Sequence, residues 1–112
     1  MTHEQRRHFR IKYPVQSRAQ LEIEFNQYPI VDISHSGFKF IGGKKFAVGF
    51  EFTGSIQFCT GDKIKIKGSV VRIVGDLVMV SLSGEISLKV LENEAQCLIQ
   101  KFGKVDSAPV HR

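Results

Sequence analysis

Cysteine is scarce, with Cys59 and Cys97 the only two, and that scarcity closes off several classes of protein. Both lie in apolar contexts, Gln57-Phe58-Cys59 and Gln96-Cys97-Leu98, without a C-x-x-C pair or a histidine at ligand spacing. A disulfide-built scaffold and a zinc ribbon are therefore excluded, and free buried thiols in a reducing cytoplasm are the expected state, with a disulfide left open. No apolar run approaches the roughly 18 residues of a membrane span. Met1-Thr2-His3-Glu4-Gln5 leads into charge with no signal-peptide apolar region, so export is not expected and the cytoplasm is. There is no Gly-Lys-Ser/Thr phosphate loop, and no nucleophile, base and orienting group can be assembled from nearby residues, which speaks against an enzyme. His8 and His35 lack a partner cluster at ligand spacing, so no metal site is expected. No internal repeat or low-complexity segment is present.

What remains is one soluble domain by length, 112 residues with 42% hydrophobic and 24% charged side chains. A net charge of +5 and a pI near 9.4 favour an anionic partner, without choosing between a nucleotide, a nucleic acid and an acidic surface. Positive charge is concentrated early, where Arg6, Arg7, Arg10 and Lys12 face only Glu4.

The chain reads as a series of short strands followed by one helix. Residues 1–12 have no sustained period and precede Pro14, so they are expected to form an arm outside the core. Leu21, Ile23 and Phe25 alternate with polar residues in a half-buried strand, Asn26-Gln27 is the expected turn, and Ile30 to Ile33 continues as a second strand. Phe38 and Phe40 start a third, which Gly42-Gly43-Lys44-Lys45 ends; Phe46 to Phe58 supplies one or two irregular strands. Lys63, Lys65 and Lys67 alternate with Ile64 and Ile66, placing the lysines on a solvent face, with an acidic partner a secondary reading. Ser69 to Val74 and Leu77 to Leu82 form a hairpin of two largely buried strands about Gly75-Asp76. From Ser87 the period changes: Leu88, Leu91, Ala95, Leu98 and Phe102 make an apolar helical stripe with Glu92, Glu94, Gln96 and Lys101 between them. Ser87 is the expected N-cap and Gly103 the C′ residue, and the tail 104–112, with Pro109 and little to bury, is expected to be mobile. Five to seven short strands at this spacing imply a barrel or sandwich.

Two clusters carry chemistry. Arg6-Arg7-His8-Phe9-Arg10 places three of the six arginines within five residues. Guanidinium groups are planar, permanently charged and bidentate, suited to phosphates and to stacking on flat rings. Asp32-Ile33-Ser34-His35-Ser36-Gly37 supplies an acceptor-only carboxylate and a hydroxyl two residues apart on one strand, hence on one face, beside a glycine. Either cluster alone has an ordinary structural reading, a solvated tail or a capped turn.

Together the clusters resemble the paired signature of the PilZ family, R-x-x-x-R followed by (D/N)-x-S-x-x-G, with every defining position filled. The resemblance implies a mainly β fold, a six-stranded antiparallel barrel with a C-terminal helix and a flexible N-terminal arm. The corresponding division is arm 1–12, barrel and helix 13–103, and tail 104–112. It implies a non-enzymatic bacterial receptor for the second messenger cyclic di-GMP, with no cofactor. Arg6, Arg7 and Arg10 on the arm and Asp32, Ser34 and Gly37 on the barrel would bind the nucleotide, as one molecule or an intercalated pair. Arginine forks would donate to guanine O6 and N7 or to phosphate, Asp32 would accept from guanine N1 and N2, and Gly37 would turn the backbone sharply and leave room. The polar arm would order on binding and present a new surface to a downstream protein in motility, adhesion, biofilm or exopolysaccharide control. Met1 followed closely by the first motif suits a stand-alone protein. A PilZ-like assembly module that has ceased to use nucleotide is the alternative. Single-stranded DNA or RNA is not an expected partner, because the aromatics do not interleave with the lysine row.

Overall fold

The computed structural model describes residues 9–103 and 106–107. Eight strands and one helix follow in chain order: β1 (Arg10–Lys12), β2 (Gln20–Ile23), β3 (Asn26–Ser34), β4 (Gly37–Ile41), β5 (Glu51–Gln57), β6 (Lys63–Val74), β7 (Leu77–Leu82), α1 (Leu88–Phe102) and β8 (Asp106–Ser107). All strand pairings are antiparallel, in the order β2-β5-β6-β7-β4-β3, and an additional β2–β3 pairing closes the ring into a six-stranded barrel. The fold is the mainly β barrel with a C-terminal helix that the sequence led us to expect.

β3 is long enough to serve two partners along one edge. Its first half forms a hairpin with β2, and its second half pairs with β1, which continues the line of β2. The arm expected over residues 1–12 thus gives its last three residues to the sheet, because Ile11 is apolar and wholly buried opposite Ile33. Within the tail expected to be mobile, Asp106–Ser107 pairs with the free edge of β1.

Several local expectations need correction. The β2–β3 turn is Glu24-Phe25 and not Asn26-Gln27, since Asn26 already pairs with Ile23. Phe25 consequently sits at the hairpin tip instead of in the core. Phe46 to Phe58 yields a single strand, β5, after an irregular segment, within the one or two strands expected there. Lys63–Val74 is one continuous strand, with a register shift between Val70 and Arg72 that leaves Val71 exposed.

The core is a set of inward residues from every barrel strand, including Leu21, Ile30, Ile33, Phe38, Phe40, Phe52, Ile56, Val70, Val78 and Val80. Phe40 is packed edge-on by Phe46 and tilted against Tyr28, so aromatic contacts fill one end. The helix adds Leu91, Ala95 and Leu98 to the same cluster. Its first turn is capped by the Ser87 hydroxyl, which accepts from the Lys89 amide at 3.1 Å, and Gly103 ends it at φ 85°, a conformation that favours glycine. Leu88 and Phe102, expected in the buried stripe, are more than a third exposed at the two ends of the helix.

Glu94 departs most from its expected place. It was placed on the solvent side of the helix by residue type, yet it is 0% exposed. Its carboxylate accepts from the Tyr13 hydroxyl at 2.7 Å, the Cys59 amide at 3.0 Å and the Thr60 amide at 3.1 Å. Three donors from two other segments satisfy it, which is what a buried carboxylate requires. The knot ties the helix to the β5–β6 turn and to the chain leaving β1. Burial, and then the neighbouring Glu94 carboxylate, push the Tyr13 phenol above its ordinary range. Cys59, beside the knot, is pushed up to about 11, mainly by burial. Its thiol lies 3.3 Å from the Ser17 hydroxyl, and both cysteines are free.

Candidate functional site

The second motif owes its geometry to a bulge. Between Ile30 and Asp32 the β3–β4 register slips by one residue, so that Ile30 stands opposite Phe40, Asp32 opposite Lys39 and Ile33 opposite Phe38. The extra residue, Val31, resets the alternation. Ile30 and Ile33 therefore both enter the core with Phe40 and Phe38. Asp32 and Ser34 are left together on the outer face of the barrel, as their two-residue spacing predicted.

On this outer face β1 brings Arg10 opposite Ser34 and Lys12 opposite Asp32. Arg10 Nη1 donates to Asp32 Oδ1 at 3.0 Å, and Lys39 Nζ lies 3.5 Å from Asp32 Oδ2. Asp32 is only 4% exposed, whereas the side chains of Arg10 and Lys39 are 42% and 36% exposed. A carboxylate is thus sunk between two cations whose far ends reach water. One Arg10 nitrogen serves Asp32, and the other donors of the guanidinium are left for further acceptors.

Ser34 opens a compact turn. Its hydroxyl accepts from the Ser36 amide at 3.4 Å and donates to the Gly37 carbonyl at 3.3 Å. The turn is pinned from outside, because the Leu82 amide donates to the Ser36 carbonyl at 2.9 Å and the Ile86 amide to the His35 carbonyl at 2.8 Å. Gly37 is not the sharp turn that the motif suggested: it is the first residue of β4, with no positive φ. A Cβ there would stand 2.3 Å from the Val80 carbonyl oxygen, so glycine is required for β4 to approach β7. His35 is half-buried next to this turn.

Of the six residues singled out by sequence, Arg10, Asp32, Ser34 and Gly37 come together around the β1–β3–β4 edge. Arg6, Arg7 and His8 lie outside the described residues. Arg10, the first residue of β1, stands opposite Ser34, at the end where β3 turns into β4. Lys39 was missed, although Phe38-Lys39-Phe40 carried the signal, since a polar residue between two core aromatics of a strand must face outward beside Asp32. Lys12 belongs to the same outer face. No group of three histidine, cysteine, aspartate or glutamate residues is arranged for a metal among the described residues. No described helix is long and apolar enough to cross a membrane.

Comparisons with known proteins agree with this architecture. None of the curated proteins matches the chain. Among solved structures, an uncharacterized protein of Legionella superposes with a TM-score of 0.56 at 16% identity, covering 82% of this chain and 89% of that one; at that identity the likeness concerns the fold alone. The model of the PilZ domain matches residues 4–100, a span that includes both arginine and aspartate clusters, the whole barrel and most of the helix. This chain belongs to the PilZ domain family.

Proposed function

We propose that this domain is a receptor for cyclic di-GMP, held on the outer face where β1, β3 and β4 meet. Family membership supports this reading, since PilZ domains are generally non-enzymatic receptor domains for this nucleotide. The observation that carries it is the cluster itself: Arg10, Asp32, Ser34 and Lys39 converge on one outer face although they come from three strands.

The chemistry fits a dianionic dinucleotide with two guanines. Arg10 donates a fork to guanine O6 and N7 or to phosphate, and its plane stacks on a base. Asp32 offers acceptors to the guanine N1 and N2 donors, having about four lone-pair positions of which two serve Arg10 and Lys39. Lys39 and Lys12 add positive charge beside the phosphates, as point charges without a fork. Arg6 and Arg7, on the segment ahead of β1, close over the ligand and supply the remaining phosphate contacts. The surface so formed is what a downstream protein reads in control of motility, biofilm or exopolysaccharide, and the domain acts in the cytoplasm.

Isothermal titration calorimetry with cyclic di-GMP, with GTP as control and Arg10→Ala as variant, tests the reading. Saturable heat that is lost in the variant and absent with GTP is expected, and it gives the number of ligands per chain. Saturating ligand must also stabilise the fold, by about 2.7 kcal/mol at a hundredfold excess over Kd, and so raise the unfolding temperature. Absence of both heat and stabilisation would refute it.

A further inference from the structure

In the closed ring, the β5–β6 pair lies three strands from the β3–β4 pair in either direction, on the far side of the barrel. Its outer surface is a polar lattice. Thr53, Ser55 and Gln57 of β5 stand opposite Lys67, Lys65 and Lys63 of β6. Lys63 pairs with Glu22 at 3.1 Å, but Lys65 and Lys67 form no ion pair among the described residues. Between them is a shallow pocket lined by Thr53, Gly54, Ser55, Lys65, Ile66 and Lys67.

Gly54 brings a second feature to the pocket's edge. It approaches β2 so closely that a Cβ would stand 2.5 Å from the Glu22 carbonyl oxygen and 3.4 Å from the Ile23 side chain. Two residues beyond Ile23, at the hairpin tip, Phe25 is 97% exposed. The tip holds Glu24 at φ 58°, a left-handed conformation that costs a non-glycine residue roughly 1–2 kcal/mol. Neither choice helps the fold: glycine would relax the turn, and a polar residue would hydrate better than phenylalanine. Strain and an extended aromatic at one tip suit a contact made with another molecule.

We propose that this face docks an acidic segment of a partner protein. Lys65 and Lys67 pair with its carboxylates, Thr53 and Ser55 bond its backbone, and Phe25 enters an apolar cleft of the partner as the anchor. Single-stranded nucleic acid fits less well, because no aromatic interleaves with the lysines and Phe25 stands beyond the end of their row. The proposal does not depend on nucleotide binding.

Amide-resolved NMR titration of the full chain without nucleotide tests it. The probes are a short aspartate- and glutamate-rich peptide containing one central leucine, and an oligothymidylate, both at physiological salt. The account expects the peptide to shift the amides of residues 24–25, 53–55 and 65–67. Binding should weaken about tenfold or more in Lys65→Glu/Lys67→Glu, and several-fold in Phe25→Ser, where the charge is unchanged. All three sites are exposed, and retained spectral dispersion confirms that the variants fold. Shifts confined to the Asp32 face, affinity indifferent to Phe25→Ser, or tighter binding of the oligonucleotide to the same residues would each overturn the proposal.

Discussion

Among the described residues two carboxylates are sunk into the domain, and they are held in opposite ways. Glu94 meets only neutral donors, a phenol and two backbone amides, on the chain leaving β1 and on the β5–β6 turn. Asp32 meets two cations on long side chains that are well over a third exposed, or close to it. Withdrawing Glu94 orphans buried donors, each costing about 1–3 kcal/mol. Swinging Arg10 or Lys39 away moves a cation that water already reaches and uncovers the Asp32 carboxylate, which can then take donors from another molecule in its place. The first arrangement closes a shape, and the second leaves a carboxylate whose cationic partners can be exchanged, as the proposed nucleotide site requires. Burial of a charged residue identifies neither role by itself; what distinguishes them is whether the partners are backbone or mobile charge.

Substitutions break this comparison in a graded order. Glu94→Leu should cost the most, about 3–5 kcal/mol by urea unfolding, because it removes at once the acceptor of the buried Tyr13 hydroxyl and of the part-buried Cys59 and Thr60 amides. Glu94→Gln, retaining the shape and one acceptor oxygen, should recover part of the loss. Gly37→Ala is next: the new methyl group meets the Val80 backbone carbonyl, which cannot swing aside, and the expected cost is about 3 kcal/mol, the upper end for overpacking, read from the same unfolding curves. Tyr13→Phe removes one hydrogen bond to a charged acceptor and should cost about 1.5–3 kcal/mol, while leaving affinity for cyclic di-GMP close to wild type.

The alkaline limb of stability provides a subtler test. A thiol whose folded pKa is raised favours the protonated form in the native state, so Cys59 contributes stability that is complete below pH 9 and lost as pH rises toward about 11. Tyr13 works in the same direction from about pH 10 upward. Urea midpoints measured from pH 8 to 11 in Cys59→Ala should decline less steeply than in the wild type. Equal slopes would mean that the thiol is not held in its protonated form.

How far these roles could be read from sequence depends on the residue. The barrel strands were legible wherever apolar and polar residues alternate, and the helix with its Ser87 and Gly103 caps was legible by periodicity. Glu94 lies three residues after Leu91 and four before Leu98, on the buried stripe, so its position was present in the pattern. Its type argued for solvent, and only the three distant donors explain why it is inside. The Val31 bulge has no local signature, yet it is what lets Ile30 and Ile33 share the core while Asp32 and Ser34 share the outer face. The β2–β3 turn was misplaced because Glu24-Phe25 lacks the glycine or asparagine that such turns favour. The paired motifs, by contrast, pointed to Arg10, Asp32, Ser34 and Gly37 as a group. For Gly37, packing against Val80 was beyond what a motif can express.

The distinction between the two carboxylates is tested most directly by Asp32→Asn, measured for both affinity and stability against the wild type. The account predicts that cyclic di-GMP binding falls by tenfold or more, about 1.4 kcal/mol or greater, while stability to urea falls by only about 1 kcal/mol, since Arg10 and Lys39 are more than a third exposed and stay solvated when the charge is removed, and asparagine keeps an acceptor oxygen in place. Wild-type affinity in Asp32→Asn, or unfolding as severe as that of Glu94→Leu, would contradict it.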